Sequence, residues 1–199
     1  MRRIHPLGAL LSFTMGASLV VLGTGAYQLI AVDKTLEDGA ARTRSQLTQS
    51  RGNGGAAGGS SERAPDLSED QAVGILVFRG DERTATPVFY GTCAEVLEKG
   101  VGQAEDTAKL NTSGNAVLFG HRDSGLRELA NLTEGDALTV ETAESVVTYT
   151  VRSIYITDPD DPHIYDETEE TLLTLVTCYP FLFVGPAPER CVVVASPAA

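Results

Sequence analysis

The stretch Thr171–Phe181, TLLTLVTCYPF, constrains the fold more than any other. Threonine, leucine and valine run without a charge into Cys178, which is the composition of a buried strand. Tyr179 and Pro180 then end the pattern, because proline cannot donate to a sheet ladder and fixes its own backbone angle. A buried strand that stops at Pro180 carries Cys178 to its own end, where an exposed loop begins. Two readings of that thiol are open: a small buried hydrophobe, or a nucleophile at a rim.

The remaining composition narrows the setting. The chain has 199 residues and a formal net charge of -12, and no basic run follows the N-terminus. It has no electrostatic footprint for a phosphate backbone, so nucleic acid is excluded as a partner. The same acidity opposes adsorption of the folded part to anionic lipid. Attachment to a membrane falls instead to residues 1–33. After Arg2 and Arg3, the run Pro6–Val32 holds no Asp, Glu, Lys or Arg. It is long enough to cross the hydrocarbon core as a helix, with the arginines favouring an N-terminus inside and the bulk of the chain outside. A cleaved signal peptide is the competing reading, with small residues at Gly23–Ala26 as a processing site. Under either reading the chain is exported. The expected organisation is an anchor over 1–33, a flexible Gly/Ser-rich linker over 34–71 and a folded domain over 72–196. The linker expectation rests on RGNGGAAGGSSERAP, which cannot bury enough surface to offset the entropy of ordering.

There are three cysteines, Cys93, Cys178 and Cys191. An odd count in an exported chain leaves at least one thiol unpaired, and whether Cys93 and Cys191 bridge is open at this level. Neither paired CxxC elements nor ligand spacing among His5, His121 and His163 is present, which argues against structural zinc.

From residue 72 the punctuation is that of an all-β domain. Strands are expected at Ala72–Phe78, Pro87–Tyr90, Asn115–Phe119, Ala137–Thr142, Val146–Thr157, Thr171–Thr177 and Cys191–Ala195. A short helix is expected over Cys93–Lys99 with Thr92 as its cap and Gly100 as its stop. A second short helical pattern runs through Leu126, Leu129 and Leu132. The acidic run Asp158–Glu170 reads as a solvated loop, since it lacks the EF-hand spacing that calcium binding there would call for. Seven or so strands, two small helices and no βαβ rhythm indicate a closed or nearly closed barrel.

Two strands end in a reactive side chain: NAVLFG in His121, and TLLTLVT in Cys178. A thiol and an imidazole brought together can share a proton, which matters because a free thiol with a pKa near 8.5 is only slightly ionised at pH 7. Arg190 follows Cys178 across one loop, so adjacent strands can bring both to one rim, where a fixed cation can stabilise an oxyanion.

These residues carry a resemblance. TLVTC resembles the cysteine signature of the sortases, and YPFLFVGPAPER that of their class D branch. GNAVLFGHRD around His121 and the LxxLxxGD pattern of Leu129, Leu132, Gly135 and Asp136 extend the match over most of residues 72–195. After GHRD the family often has a threonine and then a phenylalanine, whereas Ser124, Gly125 and Leu126 stand here. The resemblance implies an eight-stranded β-barrel and a cysteine transpeptidase without a cofactor. It further implies exported partners that bear an LPxTG-type sorting signal, and an amine acceptor on the cell surface. In that family Cys178 would be the nucleophile, His121 the general acid and base, and Arg190 the positioner of substrate and oxyanion. The corresponding location is a bacterial cytoplasmic membrane, crossed once, with the catalytic domain on the extracytoplasmic side. Two other functions fit the same residues: a hydrolytic cysteine peptidase, and a surface binding module that has lost catalysis.

Overall fold

The structure, a computed structural model, describes residues 34–51, 71–182 and 185–198. The chain divides into two compact units, Met1–Thr35 and Leu36–Ala199, of which the second contains the barrel. The expected anchor over 1–33 and the Gly/Ser-rich residues 52–70 lie outside the described residues. Among the described residues no helix is long and apolar enough to cross a membrane.

Eight strands form the domain: β1 (Ala72–Phe78), β2 (Thr86–Tyr90), β3 (Val101–Gln103), β4 (Gly114–Phe119), β5 (Ala137–Glu141), β6 (Val146–Thr157), β7 (Thr171–Tyr179) and β8 (Glu189–Pro197). They close into a barrel in the order β1-β2-β3-β4-β7-β8-β6-β5, so no sheet edge is left to pair with another chain. The pairs β2/β3 and β4/β7 are parallel and the rest antiparallel. The expected strands all form. β3 is an addition, three residues long and bounded by Gly100, too short to leave a period in the sequence. The helix Ala94–Lys99 is capped by Cys93 rather than Thr92, and Gly100 ends it as expected. The Leu126–Leu132 pattern is a 3-10 turn over Arg127–Asn131, and a second, Pro162–Tyr165, orders part of the acidic loop.

Alternation along the strands sends one set of side chains inward. Leu76, Phe78, Leu138, Val140, Leu173, Leu175 and Val193 fill the barrel, joined by Leu126 and Leu129 from the loop after β4. The opposite set makes two apolar patches on the outside of the barrel. One lies on β4, β7 and β8, where Val117, Val176 and Val192 pack under Ile164 of the Pro162–Tyr165 turn. The other lies on β1, where Ile75 and Val77 pack with Ala40, Leu47 and Ala85.

The cover over β1 corrects the linker expectation. Residues 34–51, read from sequence as part of a flexible tether, are helical (α1), and Leu36, Ala40, Thr43 and Leu47 are buried. Their spacing of four, three and four residues puts them on one face of a helix. Polar ties add to that stripe. Arg44 forks onto Glu141 through two bonds of 3.0 and 2.8 Å and reaches Glu82 at 3.0 Å. Arg51 donates to the carbonyls of Thr142 at 2.5 Å and Ala143 at 2.6 Å.

Candidate active site

The outer patch on β4, β7 and β8 sets the direction of the reactive side chains. Within β7, Leu173 and Leu175 point inward while Val176 points outward, so alternation sends Cys178 outward as well. Within β8, Cys191 and Val193 point inward and Val192 outward, which places Arg190 on the outer face. Cys178 and Arg190 are direct cross-strand partners. On the other side of β7, Phe119 pairs with Val176 in parallel register, and the Gly120 amide donates to the Val176 carbonyl at 3.3 Å. His121 lies two residues beyond Phe119, where β4 has ended and the chain turns, the Leu126 amide donating to the His121 carbonyl at 3.0 Å. Cys178 and Arg190 thus occupy one rung on adjacent strands about 5 Å apart, and His121 follows two residues beyond the end of β4, the strand on the other side of β7.

That rung lies where the apolar cover ends. Cys178 and Arg190 are half-buried and His121 is exposed, so the thiol is sheltered on one side and open to a substrate on the other. Arg190 is steadied by its own loop, its Nη1 donating to the carbonyls of Glu189 at 3.0 Å and Ala187 at 3.4 Å. A guanidinium has five N–H donors, which exceeds those two bonds.

Two neighbours that the sequence pattern does not single out tie the segments bearing His121 and Cys178 together. Thr177, 2% exposed, donates its hydroxyl to the Gly120 carbonyl at 2.7 Å. Arg122 donates from Nη1 to the Pro180 carbonyl at 2.9 Å and from Nη2 to the Gly185 carbonyl at 3.4 Å. Each flanks a residue already chosen, and adjacency was the available signal. Gly120 is required by packing: a Cβ there would come within 2.7 Å of Leu126 Cγ. Leu126, at the departure from the family pattern, is fully buried and fills the core below this turn.

The other thiols differ in environment. Cys191 is 1% exposed inside the barrel, and burial pushes its thiol up to about 11, so it is protonated and inert near neutrality. All three cysteines are free, so no Cys93–Cys191 bridge forms. Cys93 is half-buried and borders a cavity of about 590 Å³ with Glu105, Asp106 and Tyr165. Tyr165 packs against Phe119 at a ring separation of 6.1 Å, so this hollow adjoins the outer face of β4. Among the described residues no group of three or more His, Cys, Asp or Glu gathers as a metal site.

A barrel of this topology, with a thiol and a guanidinium paired across two strands, matches a known class. The sortase domain family model matches residues 81–198, more than half of the chain. The chain belongs to the sortase family. It is 33% identical over 202 residues to Sortase D of Bacillus subtilis (strain 168), covering 97% of each chain. Among solved structures it resembles the catalytic domain of B. anthracis SrtD, at 32% identity and a TM-score of 0.57, over 71% of this chain and 97% of that one. The barrel also superposes on a Clostridium perfringens Sortase D5 transpeptidase, with a TM-score of 0.62 at 21% identity, over 85% of this chain and 99% of that one. The class D resemblance read from the motifs holds, and the chain is a sortase-type transpeptidase.

Proposed function

We propose that this sortase is held in the cytoplasmic membrane by its Pro6–Val32 run, with the barrel on the extracytoplasmic side. It cleaves an LPxTG-type C-terminal sorting signal through a thioester on Cys178. It then transfers the acyl group to an amine on a cell-surface acceptor. The observation that supports this reading is the direct cross-strand pairing of Cys178 with Arg190, with His121 just past the end of β4, the other neighbour of β7.

The chemistry balances with these side chains alone. His121 takes the thiol proton, and Cys178 Sγ attacks the carbonyl carbon of the signal's threonine, forming a C–S bond. Arg190 draws the carbonyl oxygen toward its guanidinium as negative charge develops there. Collapse of the tetrahedral species breaks the C–N bond, and the imidazolium of His121 gives its proton to the departing amine. An incoming amine then attacks the thioester, loses a proton to His121 and releases the thiolate. The thioester conserves the free energy of the cleaved amide bond, so a new amide forms outside the cell without a nucleotide. No cofactor is needed for any step, and activity is expected to be unchanged by a chelator. Membrane attachment raises the effective concentration of anchored substrates.

The test is to incubate the full chain with an LPxTG-type peptide, with and without a nucleophilic amine, beside Cys178→Ala. An amide product that contains the amine, absent from the variant, supports the reading. Hydrolysis that ignores the amine identifies a peptidase instead. Absence of any turnover across a varied peptide panel by a folded, reduced chain points to a binding module.

A further inference from the structure

The backbone on either side of His121 and Cys178 is cross-tied twice. On the N-terminal side, the residue before the cysteine bonds to the residue before the histidine, through the Thr177 hydroxyl and the Gly120 carbonyl at 2.7 Å. On the C-terminal side, the residue after the histidine bonds to the residue two beyond the cysteine, through Arg122 Nη1 and the Pro180 carbonyl at 2.9 Å. The imidazole and the thiol therefore sit inside a frame of two side-chain-to-backbone bonds that cross from one chain segment to the other. β4 ends at Phe119, so the ladder with β7 gives out just where His121 begins. Beyond that point Arg122 supplies the tie that strand pairing no longer provides.

We infer that Arg122 is a positioning residue of the transfer reaction: by holding the Pro180 carbonyl it fixes the segment bearing His121 against the end of β7 that bears Cys178. The inference rests on the proposed roles of His121 and Cys178. Its physical basis is the short reach of proton transfer. Donor and acceptor must lie within hydrogen-bond distance, and a displacement of about 1 Å can cost about a hundredfold. Arginine suits this task because its planar fork carries a second donor. Nη2 meets the Gly185 carbonyl at 3.4 Å, further along the loop that leads to Arg190. One guanidinium thereby touches the loop leaving Cys178 at two points, while Arg190 holds the same loop near its far end through Ala187 and Glu189. Arg122 is half-buried, and its bond to the Pro180 carbonyl is partly sheltered from competing water, whereas the one to Gly185 is exposed.

The test compares wild type, Arg122→Gln and Arg122→Lys as full-length chains in the peptide-plus-amine assay. Arg122→Gln removes the two-donor fork, and Arg122→Lys keeps a cationic donor that can reach one carbonyl. The expected result is a fall in kcat of about 10–100-fold for Arg122→Gln, with KM within about threefold, and recovery of several-fold by Arg122→Lys. A variant that folds with wild-type kcat overturns the inference, as does a loss confined to KM. Should Arg122→Gln fail to fold, Arg122→Lys decides alone: kcat lowered at least threefold at constant KM supports positioning, and unchanged kcat refutes it. A second readout needs no peptide, namely the rate at which iodoacetamide alkylates Cys178 at fixed pH, followed by peptide mapping. A change of at least threefold in the variant supports the frame, and an equal rate refutes it. If wild type transfers nothing, the substrate reading fails, and the alkylation rate still judges Arg122.

Discussion

The barrel carries two apolar patches on its outside, and the chain treats them differently. β1 lies four places from β7 in either direction around the closed ring, so the patches are on opposite sides. Over β1 the cover is a helix several turns long, packed through Leu36, Ala40 and Leu47 and tied down by Arg44 and Arg51. Over β4, β7 and β8 the cover is one 3-10 turn that buries Ile164, and it stops short of the strand ends. At that uncovered end the outward positions of β7 and β8 change from Val176 and Val192 to Cys178 and Arg190, and β4 gives way to Gly120 and His121. A full cover makes a wall, whereas a partial one leaves the strand ends that bear Cys178 and Arg190 open.

Variants on the two sides should therefore separate activity from stability. The largest effect belongs to the residues proposed for catalysis. His121→Ala is expected to lower kcat/KM by about 10²–10⁴-fold and Arg190→Ala by about 10²–10³-fold, each with little change in melting temperature. If either loss appeared only as unfolding, that residue would be structural and the contrast would fail. Next in size is the helix side. Leu47→Ala removes a side chain that is 8% exposed against Ile75 and Val77, and should destabilise by about 2 kcal/mol in denaturant titration while folded enzyme keeps its kcat. Smaller still is Arg44→Ala. Arg44 and Glu141 are 39% and 21% exposed, so screening limits the loss to about 1 kcal/mol or less, and salt should shrink it further. A loss that ignored salt would indicate that helix packing, rather than charge, had been disturbed.

The smallest effect is a pH dependence confined to the site-side cover. Hydrogen bonding to Asp166 holds His163 above its usual value, so its contribution is fully present below about pH 6.5 and is lost as pH rises through the raised value. The Asp161 carboxylate accepts from Thr157 and from the His163 amide, which lowers its pKa. Its contribution is present above the ordinary carboxylate value near 3.8 and is lost as pH falls through the lowered one. Hydrogen exchange over residues 158–170 should therefore be slowest between these limits after correction for intrinsic exchange. His163→Gln should flatten the alkaline side. The α1 cover should show no matching change near neutrality, because Arg44 beside Glu141 is held above an already high value.

The site was legible in the sequence because its chemistry demands particular residue types at strand ends. NAVLFGH, TLLTLVTCYP and the Arg190 strand announce themselves by composition and punctuation, and the barrel makes Cys178 and Arg190 cross-strand partners beside the end of β4. The helix over β1 was not legible. Its buried stripe, Leu36, Ala40, Thr43 and Leu47, is one residue wide, includes a threonine and an alanine, and is interrupted nearby by Gly39. Its burial comes from the barrel wall it meets and from Arg44 finding Glu141 far along the chain, a pairing no local pattern contains. β3 escaped for a related reason: three residues with a central glycine make a strand only because β2 and β4 lie on either side. Arg122 and Thr177 lay inside the motifs, yet their importance rests on backbone partners in another segment.

Trapping the acyl-enzyme would decide whether Cys178 carries the transferred group. The full chain would be mixed with a sorting-signal peptide in the absence of amine, quenched in acid, weighed intact and mapped by digestion. The expected result is a single adduct, of the mass of the peptide's acyl portion, on the fragment that contains Cys178. That adduct should be discharged by an added amine and absent in Cys178→Ala. An adduct on Cys93, or transfer product formed with no adduct on Cys178 at any time, would contradict the thioester mechanism.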